Sequence, residues 1–485
     1  MSRVEIWFLR AFLAAAAIML GMQAAVALSA TYYSNPSVDD GDGDGSVGDP
    51  WGKLQWIMEN QYGTLAGGDT IILKDGYHGK LGGDATFNRE SHTDYIYIQA
   101  ENIHGASLGY VVHHSTEPDV TDGFQFWDFN GIVIDPCLGG YAGRSAFRVT
   151  KRTDDQHVGY LGFHNCVFRC LDDVNGFTSS DWEKIWYVSG SAQYAITIDA
   201  NEGPVYIEDC VFQNTTDGVS LTVKDDLTIL RTDLSYFCRD AFAGFGGPGR
   251  TLVEDCNAGC CMYSTGGLHR DMVDCAGGSY AGTPAVLSNY EFRRVTWWSD
   301  GNGALFLPWG NPDSNADCKD VNWIFENCIM EVSGSSGTRL YDPCQCYFIN
   351  NIIVPSYSRL GSNPTLSANI SSYDGNSAPA ADNVVRNNIA TAIPESGAWT
   401  TSNNIDVTDY DDFNDLFTDY PNRDYTIKDQ SAASFNAGTV TDAPLTDLLG
   451  NPRVEATDIG AYELQYTPAA EGDHRRIIIT LSGGE

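Results

Sequence analysis

The sequence predicts an all-β protein built as a solenoid of stacked parallel strands. A short motif recurs along the chain, in which an alternating strand ends at Asn or Asp and a Cys, Thr or Asn follows. The steps from Cys210 to Thr232, from Thr232 to Cys256 and from Cys328 to Asn351 are 22, 24 and 23 residues, which fits one solenoid coil. No convincing amphipathic helix interrupts the series, and a sandwich would space its strands more closely.

Each copy of the motif has a physical explanation. Asn and Asp tolerate the left-handed backbone of a tight corner, and the small side chain after the corner then points inward. Strands of stacked coils lie ~4.8 Å apart, so the inward side chains form columns. We therefore expect six side chains to be buried: Cys166, Cys210, Thr232, Cys256, Cys328 and Asn351. The close pairs Cys260–Cys261 and Cys344–Cys346 leave one or two disulfides open, with no connectivity implied.

Both ends of the chain resemble a known family. The segment 67–77, preceded by Asp49, Pro50 and Trp51, is similar to the N-terminal part of secreted right-handed parallel β-helix proteins of the pectate-lyase-like superfamily. The segment 446–463 resembles the closing segment of the same proteins. The resemblance implies a right-handed parallel β-helix with an N-terminal cap and an irregular C-terminal closing segment. It leaves the activity open, because such folds host lyases, hydrolases, epimerases, esterases and non-catalytic adhesins.

The chain divides into four segments in this interpretation. The first contains the apolar run 11–20 and the small-x-small site Ala25-Val26-Ala27, which together predict a secretory signal peptide and a secreted or cell-surface protein. The alternative is a retained membrane anchor, for which the apolar run is short. A short helix is expected at 53–60, covering the open end of the solenoid, because terminal coils need capping. The segments are a signal peptide at 1–27, a leading loop and N-terminal cap at 28–66, coils at 67–395, and a C-terminal cap with closing strands at 396–485.

The charge balance excludes several classes of partner. The chain has 28 Lys and Arg against 64 Asp and Glu, which gives a formal net charge of −36. A basic nucleic-acid footprint is absent, so no nucleic-acid partner is expected, and no membrane partner is expected once the signal is removed. A polyanionic ligand would need a bridging metal or a local basic site. The 42% hydrophobic content excludes a wholly disordered chain.

One acidic loop predicts a metal site. Asp40, Asp42 and Asp44 alternate with glycines, as do the first ligands of a calcium-binding loop. Counting from Asp40, the twelfth position is Trp51 rather than a bidentate Glu, so a regular EF-hand is excluded. A Ca²⁺ site would have to use Asp49 or distant oxygens. The alternative is a solvated acidic loop.

Acidic residues of the middle coils suggest hydrolysis. Asp217, Asp240 and the group His269, Arg270 and Asp271 are separated by 23 and 29 residues, which places them on neighbouring coils. Inverting hydrolysis needs two carboxyl groups ~6.5 to 9.5 Å apart, and such a column can supply them. The order of these residues is similar to that of polygalacturonases. The alternative is that the aspartates are turn residues.

Basic residues of the same coils suggest elimination. Lys224, Arg239, Arg250, His269 and Arg270 are concentrated in a chain that is otherwise poor in positive charge. Breaking a uronate polymer by β-elimination requires a cation near the carboxylate and a base of lowered pKa. Lys224 with Arg250 resembles the Lys and Arg of chondroitinase B-like and alginate lyases. The alternative is a set of surface salt bridges.

Aromatic residues in the same region could stack against sugar rings, with core or loop anchors as the alternative. The candidates are Trp182, Trp186, Trp297 and Trp298. The sequence thus predicts a secreted carbohydrate-active β-helix with a polysaccharide as its partner. A polysaccharide lyase acting on a uronic-acid-containing polymer is the first hypothesis. An inverting glycoside hydrolase using Asp217 and Asp240 and a non-catalytic adhesion rod are the alternatives.

Overall fold

The structure is a computed structural model. It describes residues 29–82, 94–114, 125–141, 144–150, 159–171, 174, 178, 181, 194–201, 203–223, 225–237, 241–246, 249–261, 270–274, 287–298, 304–307, 320–332, 337–356, 368–373, 382–394, 399–454 and 457–465. The predicted signal peptide lies outside these residues. Within them, no helix is long and apolar enough to cross a membrane.

The chain forms two compact units, residues 1–172 with 193–211 and residues 173–192 with 212–485. We call them the N-terminal unit and the C-terminal unit. The described strands of the N-terminal unit are β1 (Thr31–Ser34), β2 (Thr70–Leu73), β3 (Gly76–Tyr77), β4 (Leu81–Gly82), β5 (Ile96–Ala100), β6 (Ala106–Leu108), β7 (Val111–His114), β8 (Gln125–Asn130), β9 (Val133–Ile134), β10 (Phe147–Thr150), β11 (Gly159–His164), β12 (Val167–Arg169), β13 (Tyr194–Asn201) and β14 (Val205–Glu208).

The C-terminal unit continues the same alternation of short strands. Its described strands are β15 (Val211–Thr215), β16 (Asp217–Val223), β17 (Leu227–Leu230), β18 (Asp233–Phe237), β19 (Phe242–Gly246), β20 (Thr251–Glu254), β21 (Asn257–Cys261), β22 (Arg270–Asp274), β23 (Leu287–Arg293), β24 (Thr296–Trp297), β25 (Ala304–Leu307), β26 (Asp320–Glu326), β27 (Ile329–Val332), β28 (Thr338–Tyr341), β29 (Tyr347–Ile349), β30 (Ile352–Pro355), β31 (Ile370–Tyr373), β32 (Asn383–Arg386), β33 (Ile389–Ala390), β34 (Trp399–Ser402), β35 (Ile405–Asp406), β36 (Phe417–Asp419) and β37 (Asp424–Ile427).

Three consecutive strands make one coil, and each joins a different parallel sheet. In the N-terminal unit, sheet A has the order β1-β2-β5-β8-β11-β14, sheet B the order β3-β6-β9-β12 and sheet C the order β4-β7-β10-β13. In the C-terminal unit the corresponding orders are β17-β20-β23-β26-β29-β32-β34, β18-β21-β24-β27-β30-β33-β35 and β16-β19-β22-β25-β28-β31. The predicted solenoid of parallel strands is therefore confirmed.

The corner between sheets A and B explains the sequence motif. Its first residue has a positive φ in copy after copy, for example 52° at Asn165, 53° at Asp209, 56° at Asp255 and 55° at Asn327. The next side chain points into the core, and all six residues predicted to be buried are at most 1% exposed. The prediction is confirmed because a left-handed corner turns the chain within one residue and leaves the following side chain on the inner face.

The inward column also satisfies backbone carbonyl groups. Each cysteine thiol in it donates to the carbonyl of a residue on the preceding coil, at 3.4 to 3.6 Å. Towards the C-terminus the column changes from thiols to amides, where Asn351 donates to the Phe325 carbonyl and Asn388 to the Phe348 carbonyl. Burial raises the pKa of Cys256 and Cys328 to about 12, so both remain thiols. Cys344, next to the column, forms a disulfide.

In each unit a segment outside the coils packs against them. Helix α1 (Leu54–Asn60) buries Leu54, Ile57 and Met58, and the predicted helix differs from it only by including Lys53, the N-cap residue. In the C-terminal unit, α2 (Phe413–Leu416), β36 and β37 belong to an apolar cluster with side chains of β27, β30 and β33, three neighbouring strands of sheet B, so this segment packs along that sheet. The coils continue past residue 395 through β34 and β35, because the amide column extends to Asn404.

Candidate functional site

The structure describes only part of the predicted catalytic region. Arg270 and Asp271 begin β22, where they pair with Ala304 and Leu305 of β25. Six other predicted site residues lie outside the described residues: Lys224, Arg239, Asp240, His269, Trp182 and Trp186. Their predicted roles stay predictions.

Asp217 is described, and it is fully buried at the start of β16. Its Oδ2 accepts a hydrogen bond from the Thr216 hydroxyl at 3.1 Å, and Thr216 is also buried. A carboxyl group that takes part in hydrolysis must reach the substrate or its attacking water. The burial of Asp217 therefore favours a structural role over the predicted catalytic one.

Arg250 lies in a surface ion pair. Its guanidinium donates two hydrogen bonds of 2.7 Å to the carboxylate of Glu291. This pairing raises the pKa of Arg250 and lowers that of Glu291. A proton-abstracting base needs a lowered pKa, so the shift at Arg250 is opposite to the one that elimination requires. Arg293 and Arg294 are paired in the same way, with Glu326 and Glu254, which supports the salt-bridge alternative.

Two of the predicted aromatic platforms are part of the fold. Trp297 is only 1% exposed and packs edge-on against Phe292, so it is a core residue rather than a surface for sugar. Trp298 packs so closely over Gly259 that a Cβ there would overlap its ring, and the Arg423 guanidinium lies 4.5 Å from its ring centroid. Residue type alone does not distinguish a core tryptophan from one that binds sugar. The alternation of side chains along β24 does, because it places Trp297 inward.

The acidic loop is held by its own hydrogen bonds. Asp40 Oδ1 accepts from the Lys53 amide at 3.0 Å, and Asp44 Oδ1 accepts from the Ser46 amide at 2.9 Å. The hydrogen bonds from Ser46 lower the pKa of Asp44. No group of three His, Cys, Asp or Glu side chains converges to hold a metal ion anywhere in the described part of the chain. The donors of Asp40, Asp42, Asp44 and Asp49 would thus have to move to coordinate Ca²⁺.

Calcium binding by this loop stays a prediction with a direct test. If Ca²⁺ joins these carboxylates, chelation should lower the melting temperature, because the bound ion stabilises only the folded cap. Melting curves at saturating Ca²⁺, with and without excess chelator, measure the difference. Equal melting temperatures would contradict calcium binding at this loop.

A different cluster gathers tyrosines and cations on three successive coils of the N-terminal unit. Tyr77 is in β3, Lys80 lies between β3 and β4, and Tyr110 immediately precedes β7. Tyr141 and Arg144 follow the 3₁₀-helix Pro136–Gly139. We call these five residues the tyrosine–lysine cluster. The Lys80 ammonium lies 4.8 Å from the Tyr141 ring centroid and 5.6 Å from that of Tyr110.

Glycines make room for the rings of this cluster. A Cβ at Gly109 or Gly139 would lie 2.7 or 2.5 Å from the Tyr77 hydroxyl oxygen. The close approach of Tyr77 to the neighbouring coils therefore depends on the missing side chains. The rings of Tyr110 and Tyr141 meet edge to face, with centroids 4.9 Å apart. Main-chain bonds between coils, such as the Leu81 amide to the Tyr110 carbonyl at 2.8 Å, fix the backbone below the rings.

Electrostatics keep the cluster cationic. Hydrogen bonding with Tyr110 and Tyr141 raises the pKa of Lys80, so its ammonium remains charged at neutral pH. Partial burial raises the pKa of Tyr77, so this phenol remains a hydrogen-bond donor. Unlike Arg250, Lys80 and Arg144 have no carboxylate partner among the described residues, and both lie beside the Tyr110 ring. Arg144 is exposed, so the cluster can meet a ligand from solvent.

The sequence carries only a partial signal for this cluster. Tyr77 belongs to the segment that resembles the N-terminal part of the β-helix proteins, and Lys80 follows it by three residues. Tyr110 and Tyr141 come from other coils, and only the stacking of coils brings them to Lys80. The chain has a net charge of −36, so most of its charged surface is negative. A cation that faces aromatic rings in such a chain indicates a local site for an anionic ligand.

The strand order and the tight left-handed corner define the class of this fold. The chain is a parallel β-helix, the fold that the resemblance of its ends implied. No protein-family model matches the sequence, and no curated protein matches it.

Two solved structures show a weak overall similarity to the chain. Pectate lyase Pel9A is 14% identical, with 90% of this chain and 97% of that chain covered and a TM-score of 0.38. The A-module of mannuronan C-5 epimerase AlgE6 from Azotobacter vinelandii is 10% identical, with 72% and 85% covered and a TM-score of 0.28.

Proposed function

We propose that this chain is an exported carbohydrate-active β-helix that binds a uronic-acid-containing polysaccharide and cleaves it by β-elimination. The observation that carries the proposal is the tyrosine–lysine cluster. A uronate residue combines a carboxylate, hydroxyl groups and an apolar ring face. In the cluster, the Lys80 ammonium and the Arg144 guanidinium can bind the carboxylate. The phenol hydroxyls can hydrogen-bond the sugar hydroxyls, and the tyrosine rings can stack on the apolar ring face.

The chemistry divides the roles between charge neutralisation and proton transfer. In β-elimination a base removes the C5 proton, the C4–O bond breaks, a C4–C5 double bond forms, and the leaving oxygen takes up a proton. A cation at the carboxylate makes the C5 proton easier to remove. Lys80 suits the binding of a uronate carboxylate, because its raised pKa keeps it protonated. The predicted base in this proposal is Lys224 with His269, and both lie outside the described residues.

The hydrolase alternative receives less support. It requires Asp217 and Asp240 to act on opposite sides of a glycosidic bond, and Asp217 is fully buried. The proposal is tested by incubating the purified full-length chain with polygalacturonate, alginate and neutral polysaccharides. Ultraviolet absorbance of unsaturated product and release of reducing ends are followed in parallel. An increase in absorbance with uronate polymers, and none with neutral polysaccharides, supports elimination. Reducing ends without absorbance indicate hydrolysis, and no product with any polymer favours the non-catalytic rod.

Lys80→Met should weaken binding of the uronate polymer roughly 10- to 100-fold, since a charge-assisted hydrogen bond to a carboxylate is lost. Calorimetry or affinity electrophoresis measures the change. Lys80→Arg should retain most of the affinity, because the positive charge is kept. Lys74→Met, at a partly exposed lysine between β2 and β3, is the matched control. Equal binding by Lys80→Met and the control would contradict the role of the cluster.

A further inference from the structure

The outer face of sheet A in the N-terminal unit carries a second set of aromatic and polar side chains. Because strand residues alternate between the two faces, outward residues of neighbouring strands form rows across the sheet. One row is Tyr97, Asp128, Gly162 and Tyr206, which are in register on β5, β8, β11 and β14. We call this row, with His164 and Glu208 beside it, the sheet-A face.

The two tyrosines of the row present their rings to solvent. Tyr97 is 38% exposed and Tyr206 is 42% exposed, which is unusual among the large side chains that the structure describes. They stand three strand spacings apart, or ~14 Å. Between them Gly162 has no side chain, and the Asp128 carboxylate leans over it. A Cβ at Gly162 would lie 2.3 Å from Asp128 Oδ2, so the glycine is needed for this position of the carboxylate.

An imidazole fixes the two carboxylates of the face. His164 Nε2 lies 3.1 Å from Asp128 Oδ2, and His164 Nδ1 lies 3.1 Å from Glu208 Oε2. Hydrogen bonding to Asp128 is the main cause that raises the pKa of His164 to about 9, so the ring is protonated at neutral pH. Two carboxylates against one imidazolium leave this group with net negative charge. Asp128 Oδ1 has no hydrogen-bond partner within the described residues and can accept from a ligand.

One edge of the face is built from aromatic side chains that a relaxed strand would not place there. Phe126 and Tyr160 have φ values of 59° and 53°, a conformation that bulky residues rarely adopt. Their rings stack with centroids 4.2 Å apart, and Tyr95 meets Phe126 edge-on at 5.8 Å. Asn289 and Asn322 have the same positive φ at the equivalent place in β23 and β26, so this backbone form belongs to the coil, and the stacked aromatic pair is what distinguishes the face. The stack borders the row at Tyr97, since Tyr95 and Tyr97 have centroids 6.1 Å apart.

We propose that the sheet-A face binds a neutral, hydroxyl-rich glycan chain laid across the strands. Exposed tyrosine rings offer stacking surfaces for the apolar faces of sugar rings, and the fixed carboxylates accept hydrogen bonds from sugar hydroxyls. The net negative charge of the group disfavours a uronate, which distinguishes this face from the cationic tyrosine–lysine cluster. The strand spacing is comparable to the length of one sugar residue in an extended chain, so the row suits an oligosaccharide.

The test uses the full-length chain in affinity electrophoresis and calorimetry with galactan, glucomannan and xyloglucan as neutral probes. Tyr97→Ala and Tyr206→Ala should each weaken binding of the recognised neutral polymer about threefold to tenfold, and the double variant should weaken it further. Gly162→Ala should give a similar loss without removing a polar group, because the new methyl displaces the Asp128 carboxylate. Tyr347→Ala, on sheet A of the C-terminal unit, is the matched control and should bind as the unaltered chain does.

The second part of the test measures binding of uronate polymers. The sheet-A variants should leave polygalacturonate or alginate binding unchanged, while Lys80→Met should leave neutral-glycan binding unchanged. The proposal is overturned if none of the neutral probes binds, if the tyrosine variants bind them normally, or if the same variants weaken uronate binding equally. Self-association that the tyrosine variants abolish, in the absence of glycan binding, would assign the face to a second copy of the chain. These outcomes do not depend on whether the chain cleaves uronate polymers.

Discussion

Replacing Lys224 by alanine should lower the rate of unsaturated-product formation ~10²- to 10⁴-fold, the usual contribution of a positioned proton-transfer group. The structure narrows the choice of the residue that abstracts the proton. Of the residues proposed for catalysis, Arg250 is committed to Glu291 and its pKa is raised, and Asp217 is buried. Neither suits proton abstraction, so the elimination hypothesis now depends on Lys224 with His269. Initial rates on the preferred uronate polymer, at saturating substrate, measure the change.

Arg250→Ala is the matched control for Lys224→Ala. It removes a cation from the same coils, but only an exposed ion pair is lost, which is worth about 0 to 1 kcal/mol. Its rate should therefore stay close to that of the unaltered chain. Asp240→Asn separates the mechanisms. If it abolishes release of saturated reducing ends while Lys224→Ala is nearly silent, hydrolysis is the reaction and the elimination proposal is wrong.

Replacing Arg453 by methionine should destabilise the C-terminal closing segment by about 3 to 5 kcal/mol, the cost of breaking a buried ion pair from one side. Arg453 and Glu463 are both almost fully buried, with 3.1 Å between Nη1 and Oε2. Arg453 also donates to Asn327 Oδ1 at 2.7 Å and to the Gly460 carbonyl at 2.9 Å, so it ties the segment to a coil corner. Its loss leaves the Glu463 charge buried without its cation.

Hydrogen exchange of residues 446–465 and thermal melting measure this effect. Coil interactions are mainly between neighbours, so exchange should increase first in the closing segment and the last coils. Arg148→Met, at an exposed arginine of β10, should change stability by no more than about 0.5 kcal/mol. Equal protection of the closing segment in the two variants would contradict a structural role for the Arg453–Glu463 pair.

The sequence by itself determined the coil. The corner motif requires a residue that tolerates positive φ followed by a small inward side chain, and both requirements are local, so each copy is visible in the sequence. Burial of Cys166, Cys210 and Asn351 followed directly. Helix α1 was also predictable, because its apolar residues are spaced on one face.

Only the tertiary structure decided which surface residues act together. Arg250 and Glu291 are 41 residues apart in sequence and form an ion pair because β20 and β23 are neighbours. The rings around Lys80 and the row from Tyr97 to Tyr206 likewise come from different coils, whose lengths vary with the loops between strands. The 22- to 24-residue repeat places a residue on a coil, but it does not fix which side chains of adjacent coils come into register. That register is set by hydrogen bonding between coils, and it determines which charges are neutralised and which remain available to a ligand.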